Sequence, residues 1–61
     1  MQDNIEWLFD VGQVVYFHDM IGTVLLQEIS DGGNQLFYIE IEGESYGRPC
    51  RTVRGDYLVA A

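Results

Sequence analysis

Seven glycines interrupt this chain and leave between them short segments rich in β-branched and aromatic residues. Short segments of this kind, separated by turn-forming residues, are typical of a domain built from short β-strands. The chain has 61 residues, which is enough for one domain at most, and it shows no repeat, low-complexity stretch or linker. We therefore predict a single all-β domain over residues 1–61.

The clearest strand is predicted over residues 35–42, because apolar and polar side chains alternate there. Its two faces are Phe37, Ile39 and Ile41 toward the core, and Tyr38, Glu40 and Glu42 toward solvent. The Asp-Gly-Gly-Asn sequence before it predicts a tight hairpin turn, since Gly and Asn tolerate positive φ angles. The other four strands are predicted over residues 13–18, 22–30, 50–53 and 58–60. A turn of 3₁₀ helix is predicted over residues 55–57, before the last strand.

Two local features carry further predictions. Strict alternation breaks within the second strand, which predicts a β-bulge near residues 26 and 27. At the N-terminus, Asp3 with Glu6 three residues later favours a single helical turn over residues 4–8, the alternative being an irregular lead-in. The predicted core consists of Val11, Val15, Phe17, Val24, Ile29, Phe37, Ile39, Ile41, Val53 and Leu58.

Five short strands, a long second hairpin and a one-turn helix before the last strand describe a small, strongly bent barrel. This pattern resembles the Src-homology-3-like and Tudor-like barrels. The resemblance is carried by Phe9-x-Val11-Gly12-x-x-Val15, by Gly22-x-Val24 with Ile29, and by Tyr38-x-x-Ile41.

Over residues 9–42 the chain is similar to the RNA-polymerase-interacting Tudor-like domain of CarD-type bacterial transcription regulators. The resemblance implies a five-stranded barrel that docks on transcription machinery. Two departures stand out: Met20-Ile21-Gly22 replaces the more glycine-rich turn of that family, and its helical DNA-contacting domain has no counterpart here.

The charge distribution narrows the class of partner. The net charge is −7, the only basic residues are three arginines, and residues 1–47 hold nine acidic residues and no basic one. Such a surface repels a phosphate backbone and an anionic bilayer, so we predict neither direct nucleic-acid binding nor membrane binding. A protein partner with a basic or mixed surface is favoured. A homodimer also fits, because so short a chain buries little core by itself.

Enzymatic signals are lacking. The chain has no lysine, no glycine-rich phosphate loop and no nucleophile-elbow motif. Cys50 and His18 do not make a zinc site, and a single cysteine forms no internal disulfide. We predict a non-enzymatic protein with no catalytic residue, cofactor or metal. The single cysteine and the absence of a signal peptide or a long apolar run favour a cytoplasmic location.

The candidate partner-binding residues are tyrosines, acidic residues of the third strand and the arginines that follow it, since Tyr and Arg are enriched in interface cores. The set comprises Tyr38, Glu40, Glu42, Tyr46, Arg48, Arg51, Arg54 and Tyr57. Two alternatives remain beside the partner surface. The arginines would neutralise the acidic stripe by cross-strand ion pairs, or the tyrosines with Trp7 would form a cage for a methylated cation.

Three functions are compatible with this sequence. The leading hypothesis is a small acidic protein-interaction module, a regulator that docks on transcription machinery. The second is a phage or mobile-element inhibitor that blocks the basic nucleic-acid groove of a host defence enzyme, such as a CRISPR effector or a restriction system. The third is a small enzyme assembled by oligomerisation.

Overall fold

The structure, a computed structural model, describes residues 5–43 and 49–61, and it is built from antiparallel β-strands. The strands are β1 (Val14–Phe17), β2 (Met20–Ile29), β3 (Gln35–Ile41), β4 (Cys50–Arg54) and β5 (Leu58–Ala60), with a 3₁₀ turn, Gly55–Tyr57, before β5. They form one sheet in the order β4-β3-β2-β1-β5. The all-β prediction, the five strands and the position of the 3₁₀ turn are confirmed.

The sheet is open but strongly curled. β4 and β5 are its two edges, and in a flat sheet they would lie about 19 Å apart, four times the spacing of ~4.8 Å between neighbouring strands. Only the 3₁₀ turn connects them, and at ~2 Å per residue it covers about 8 Å between Arg54 and Leu58. The sheet must therefore bend until its edges approach each other at this end.

Gly55 makes this connection fit. A Cβ atom there would lie 2.8 Å from Leu8 Cδ1 and 2.8 Å from Phe37 Cε2, distances that real Cβ atoms essentially never show. Glycine thus lets the 3₁₀ turn pack directly on the ring of Phe37, which is fully buried.

The β2 strand carries a bulge one residue before the predicted position. Val24 pairs with Ile39, but Leu26 pairs with Tyr38, which leaves Leu25 as the extra residue. In an uninterrupted strand Leu26 would share the inner face of Val24. The bulge instead places Leu26 on the outer face, where 57 % of it is exposed.

The core lies on the inner, concave side of the curled sheet. Its buried residues are Phe9, Val15, Val24, Phe37, Ile39, Ile41, Val53 and Leu58. The prediction missed Phe9 and was wrong for Val11 and Ile29, which are exposed. Val11 lies in the turn before β1, and Ile29 pairs with Gln35 at the far end of the long hairpin. Phe17 is half-buried against the core.

The N-terminal segment is an irregular lead-in, so the helical turn predicted over residues 4–8 is wrong over its described part, residues 5–8. Its backbone bonds to two glutamine side chains. The Leu8 N–H donates to Gln35 Oε1 (2.8 Å), Gln35 Nε2 donates to the Glu6 carbonyl (2.9 Å), and Gln27 Nε2 donates to the Phe9 carbonyl (2.8 Å). These bonds replace the internal bonds of a helix. Asp3 and residue 4 lie outside the described residues.

Aromatic packing fixes the same segment. Trp7 and Phe9 both meet the ring of Phe37 edge-on, with ring centroids 6.1 Å and 5.2 Å from that of Phe37.

The hairpin turn predicted at residues 31–34 is confirmed. The Gly33 N–H donates to the Ser30 carbonyl (2.9 Å), and Gly33 has the positive φ of 86° that this turn needs. No helix in the described ranges could cross a bilayer.

Candidate protein-interaction surface

The third strand and the residue after it present the surface that the sequence predicted, Tyr38, Glu40 and Glu42, which we call the acidic-tyrosine surface. All three side chains are exposed, because their neighbours in the alternation, Ile39 and Ile41, point into the core. Tyr38 lies between Leu26 on β2 and Thr52 on β4 in the cross-strand register. The surface is therefore mixed: an aromatic ring beside an exposed leucine, followed by two carboxylates.

Tyr38 lies near the single cysteine, which is aligned with Glu40 on the neighbouring strand. A side-chain hydrogen bond with Cys50 is the main cause that raises the pKa of the Tyr38 phenol above its ordinary value of 10.0, and the electrostatic effect of Cys50, desolvation and the charge of Glu40 raise it further. The phenol is neutral at neutral pH, and it acts as a hydrogen-bonding group with an apolar ring. Cys50 is a free thiol and is half-buried.

Glu40 and Glu42 line one side of an open cleft of about 430 Å³. Thr23, Ile41, Gly43 and Pro49 complete its described walls. Successive outward residues of a strand lie about 7 Å apart, so the two carboxylates can face one cationic group together. The cleft is large enough to admit a long side chain, and it carries the charge that would attract Lys or Arg.

The arginines do not all neutralise this stripe. Arg54 makes a forked ion pair with Asp56 in the adjoining 3₁₀ turn, with Nε donating to Oδ1 at 3.1 Å and Nη2 donating to Oδ2 at 2.9 Å. Its alignment in the sheet is with Leu36, two positions before Tyr38, whereas Arg51 is aligned with Ile39 and so lies on the core side of β4. The prediction of cross-strand pairing with the third-strand carboxylates is wrong for Arg54.

Arg54, Asp56 and Tyr57 form a second exposed group at the end of the sheet. The Arg54 guanidinium lies 5.7 Å from the centroid of the Tyr57 ring, within cation–π range. The Asp56 carboxylate balances the charge of the guanidinium and fixes its orientation. This group therefore presents a nearly neutral, amphipathic surface. Exposed ion pairs of this kind contribute only about 0–1 kcal/mol to stability.

Two predicted site residues, Tyr46 and Arg48, lie outside the described residues. The rings proposed for a cage are separated in the part of the chain that the structure describes: Trp7 packs on Phe37, whereas Tyr16 and Tyr38 are divided by β2, aligned with Ile21 and Leu26 respectively. His18 follows β1 in a turn, with a positive φ of 58° and its ring 4.4 Å from that of Phe17.

Sequence reasoning missed an apolar surface on the outer face of the sheet. Val14, Tyr16, Ile21 and Val59, which we call the outer patch, are each between 38 % and 63 % exposed. The signal was present in β1, whose four residues are apolar or aromatic on both faces. A strand with apolar residues on both faces usually has both faces covered.

Comparison with known proteins adds no candidate function to this geometry. No family model matches the sequence, and no match was found among curated proteins or solved structures. Among the described residues there is also no group of three His, Cys, Asp or Glu side chains that could hold a metal ion.

Proposed function

We propose that this chain is a small, non-enzymatic protein-interaction module that binds a basic or mixed protein surface through its acidic-tyrosine surface. The observation that carries the proposal is the position of Tyr38 and the exposed Leu26 directly beside Glu40 and Glu42. An aromatic anchor with adjacent carboxylates combines the two things an interface needs: apolar area that supplies affinity and charge that selects and steers the partner.

The proposal extends to the fold family. A curled sheet in the order β4-β3-β2-β1-β5, with a bulged β2 and a 3₁₀ turn between the edge strands, supports assignment as a Src-homology-3-like or Tudor-like barrel. On that assignment the similarity to CarD-type regulators suggests a partner in the transcription machinery. The test of the fold assignment is a nuclear Overhauser experiment for contacts between β4 and β5, which a closed barrel requires.

The functional test is capture from a lysate of the source organism followed by binding kinetics on the purified partner. We compare the wild-type chain, Tyr38→Ala, and a double variant with Glu40→Gln and Glu42→Gln. The Gln pair should slow association several-fold at low salt and have less effect near ~0.5 M salt, where the Debye length is about 4 Å. Tyr38→Ala should raise the dissociation rate at both salt concentrations, because burial of an aromatic ring is not screened.

The matched control is Val11→Ala, which truncates another exposed apolar residue away from this surface and should change neither rate. If neither test variant changes either rate, the acidic-tyrosine surface is not the binding site.

A second candidate is favoured by one observation. All eight acidic residues in the described ranges are exposed, on strands, turns and the lead-in alike. A compact body covered in this way could occupy the basic nucleic-acid groove of a host defence enzyme, as the inhibitor hypothesis requires. A captured partner that releases the chain when its nucleic acid is added would support the inhibitor over the transcription adaptor.

A further inference from the structure

The outer patch is arranged in two cross-strand rows, each of which ends in a carboxylate. In one row Val59, Tyr16 and Ile21 are neighbours across β5, β1 and β2, and the Glu42 N–H donates to the Ile21 carbonyl (2.8 Å). In the next row Val14 is aligned with Thr23, and Thr23 with Glu40.

This register fixes the spacing of apolar and charged groups. With strands ~4.8 Å apart, Glu42 lies about 5 Å from Ile21 and about 14 Å from Val59. Within these two rows the apolar residues therefore occupy the β5-β1-β2 side of the outer face, and the two carboxylates form a border at the C-terminal end of β3. Exposed apolar patches with a polar border mark protein-interaction sites more often than plain surface.

We infer that the outer patch and its carboxylate border form one docking surface for a partner segment that carries an apolar stripe flanked by Lys or Arg. This inference rests on the proposed function and identifies the partner's chemistry. The apolar stripe would cover Val14, Tyr16, Ile21 and Val59, while the basic side chains reach Glu40 and Glu42 in the open cleft.

Charge decides against a second copy of the chain as the occupant. The chain carries a net charge of −7. A two-fold interface would place the same patch on both sides, so the carboxylate borders of both copies would enter one contact. Arg54, on the same outer face, is held by Asp56. A cationic segment removes this repulsion and is attracted to the border.

The test is selection from a random peptide display library against the purified full chain, followed by affinity measurement with the resynthesised peptides. We expect the selected peptides to combine Lys or Arg with apolar residues. A variant with Val14→Thr and Val59→Thr keeps side-chain shape and β-branching but adds hydroxyls to the patch, and it should weaken binding at least about tenfold. Replacing Glu40 and Glu42 with Gln should weaken it several-fold at low salt only.

The matched control is Val11→Thr, the same chemical change at an exposed residue outside the sheet, which should leave the affinity unchanged. Circular dichroism confirms that each variant keeps the fold. Three results would overturn the inference. The selected peptides could lack basic residues, they could be selected equally well by the variant with Val14→Thr and Val59→Thr, or their affinity could be the same for that variant as for the wild-type chain. If binding depends on Tyr38 but not on Val14 and Val59, the inference fails while the proposed function stands.

Analytical ultracentrifugation tests whether the outer patch binds a second copy of the chain. We expect a monomer at the concentrations of the affinity measurements. A dimer that the Thr pair dissociates would show that the outer patch binds a second copy, and it would overturn the inference of a cationic partner.

Discussion

The inner and outer faces of β1 have nearly the same composition but opposite environments. Val14 and Val15 are adjacent and chemically identical, yet Val15 is fully buried and 44 % of Val14 is exposed. The difference comes from the register alone, because successive side chains of a strand point to opposite faces. Residue type therefore does not reveal which apolar residues stabilise this fold and which remain available for a partner. Substitutions on the two faces should therefore have very different effects on stability.

The largest effect should come from truncating the inner face. Ile39→Ala removes a fully buried side chain from the inner face of β3 and should cost about 2–5 kcal/mol, which would leave so small a domain largely unfolded. Ile21→Ala makes the same change on the outer face, where the residue is 38 % exposed, and should cost about 1 kcal/mol or less. Urea denaturation of both variants measures this. Equal losses of stability would show that the two faces are not distinct.

Gly55→Ala tests whether the inner face is closed at the end of the sheet. The new Cβ would meet Leu8 and Phe37 at 2.8 Å, so we expect a loss of about 1–3 kcal/mol from overpacking. Gly32→Ala is the matched control, since the nearest atom would lie 3.7 Å away, in ordinary contact. Thermal unfolding of the two variants gives the comparison. A Gly55→Ala chain as stable as the control would mean that the 3₁₀ turn does not pack on Phe37.

The sequence predicted the inner face well where a single strand decides the outcome. Phe37, Ile39 and Ile41 alternate cleanly with polar residues, and their burial is confirmed. The sequence-based prediction failed where burial depends on contacts with residues that are distant in the sequence. Phe9 is buried because Phe37 lies 28 positions later and receives its ring, and no local pattern encodes that contact. The lead-in follows the same logic, since its hydrogen-bond partners are Gln27 and Gln35.

The candidate site was predictable to a similar degree. Tyr38, Glu40 and Glu42 follow from alternation on one strand, and all three are exposed as expected. The outer patch depends on the pairing of three strands, so its rows become visible only with the register. The pairing of Arg54 with Asp56 required the 3₁₀ geometry that brings residues two positions apart into a forked contact.

A smaller effect is expected at the lead-in. Gln35→Ala removes the two hydrogen bonds that hold Glu6 and Leu8, both exposed, and should cost about 1–2 kcal/mol. Because Trp7 packs on Phe37 through this segment, its fluorescence emission should shift toward that of an exposed tryptophan. Asn34→Ala, one position earlier and without a contact to the lead-in in the described hydrogen bonds, should leave the emission unchanged. An unshifted spectrum in Gln35→Ala would show that aromatic packing and the remaining bond from Gln27 to the Phe9 carbonyl are enough to fix the segment.

The smallest effect concerns one hydrogen bond on the outer face. Cys50→Ala removes the main cause of the raised pKa of Tyr38, so that pKa should fall toward 10.0. Because the raised value means that the folded state holds the proton more tightly, the associated stability is present below pH 10.0 and is lost as the pH rises through the folded pKa. Titration of the Tyr38 ring carbons by NMR measures the shift, with Thr52→Ala as the control, since Thr52 is aligned with Tyr38 but is not a cause of its shift. A Tyr38 titration unchanged by Cys50→Ala would contradict an interaction between the two side chains.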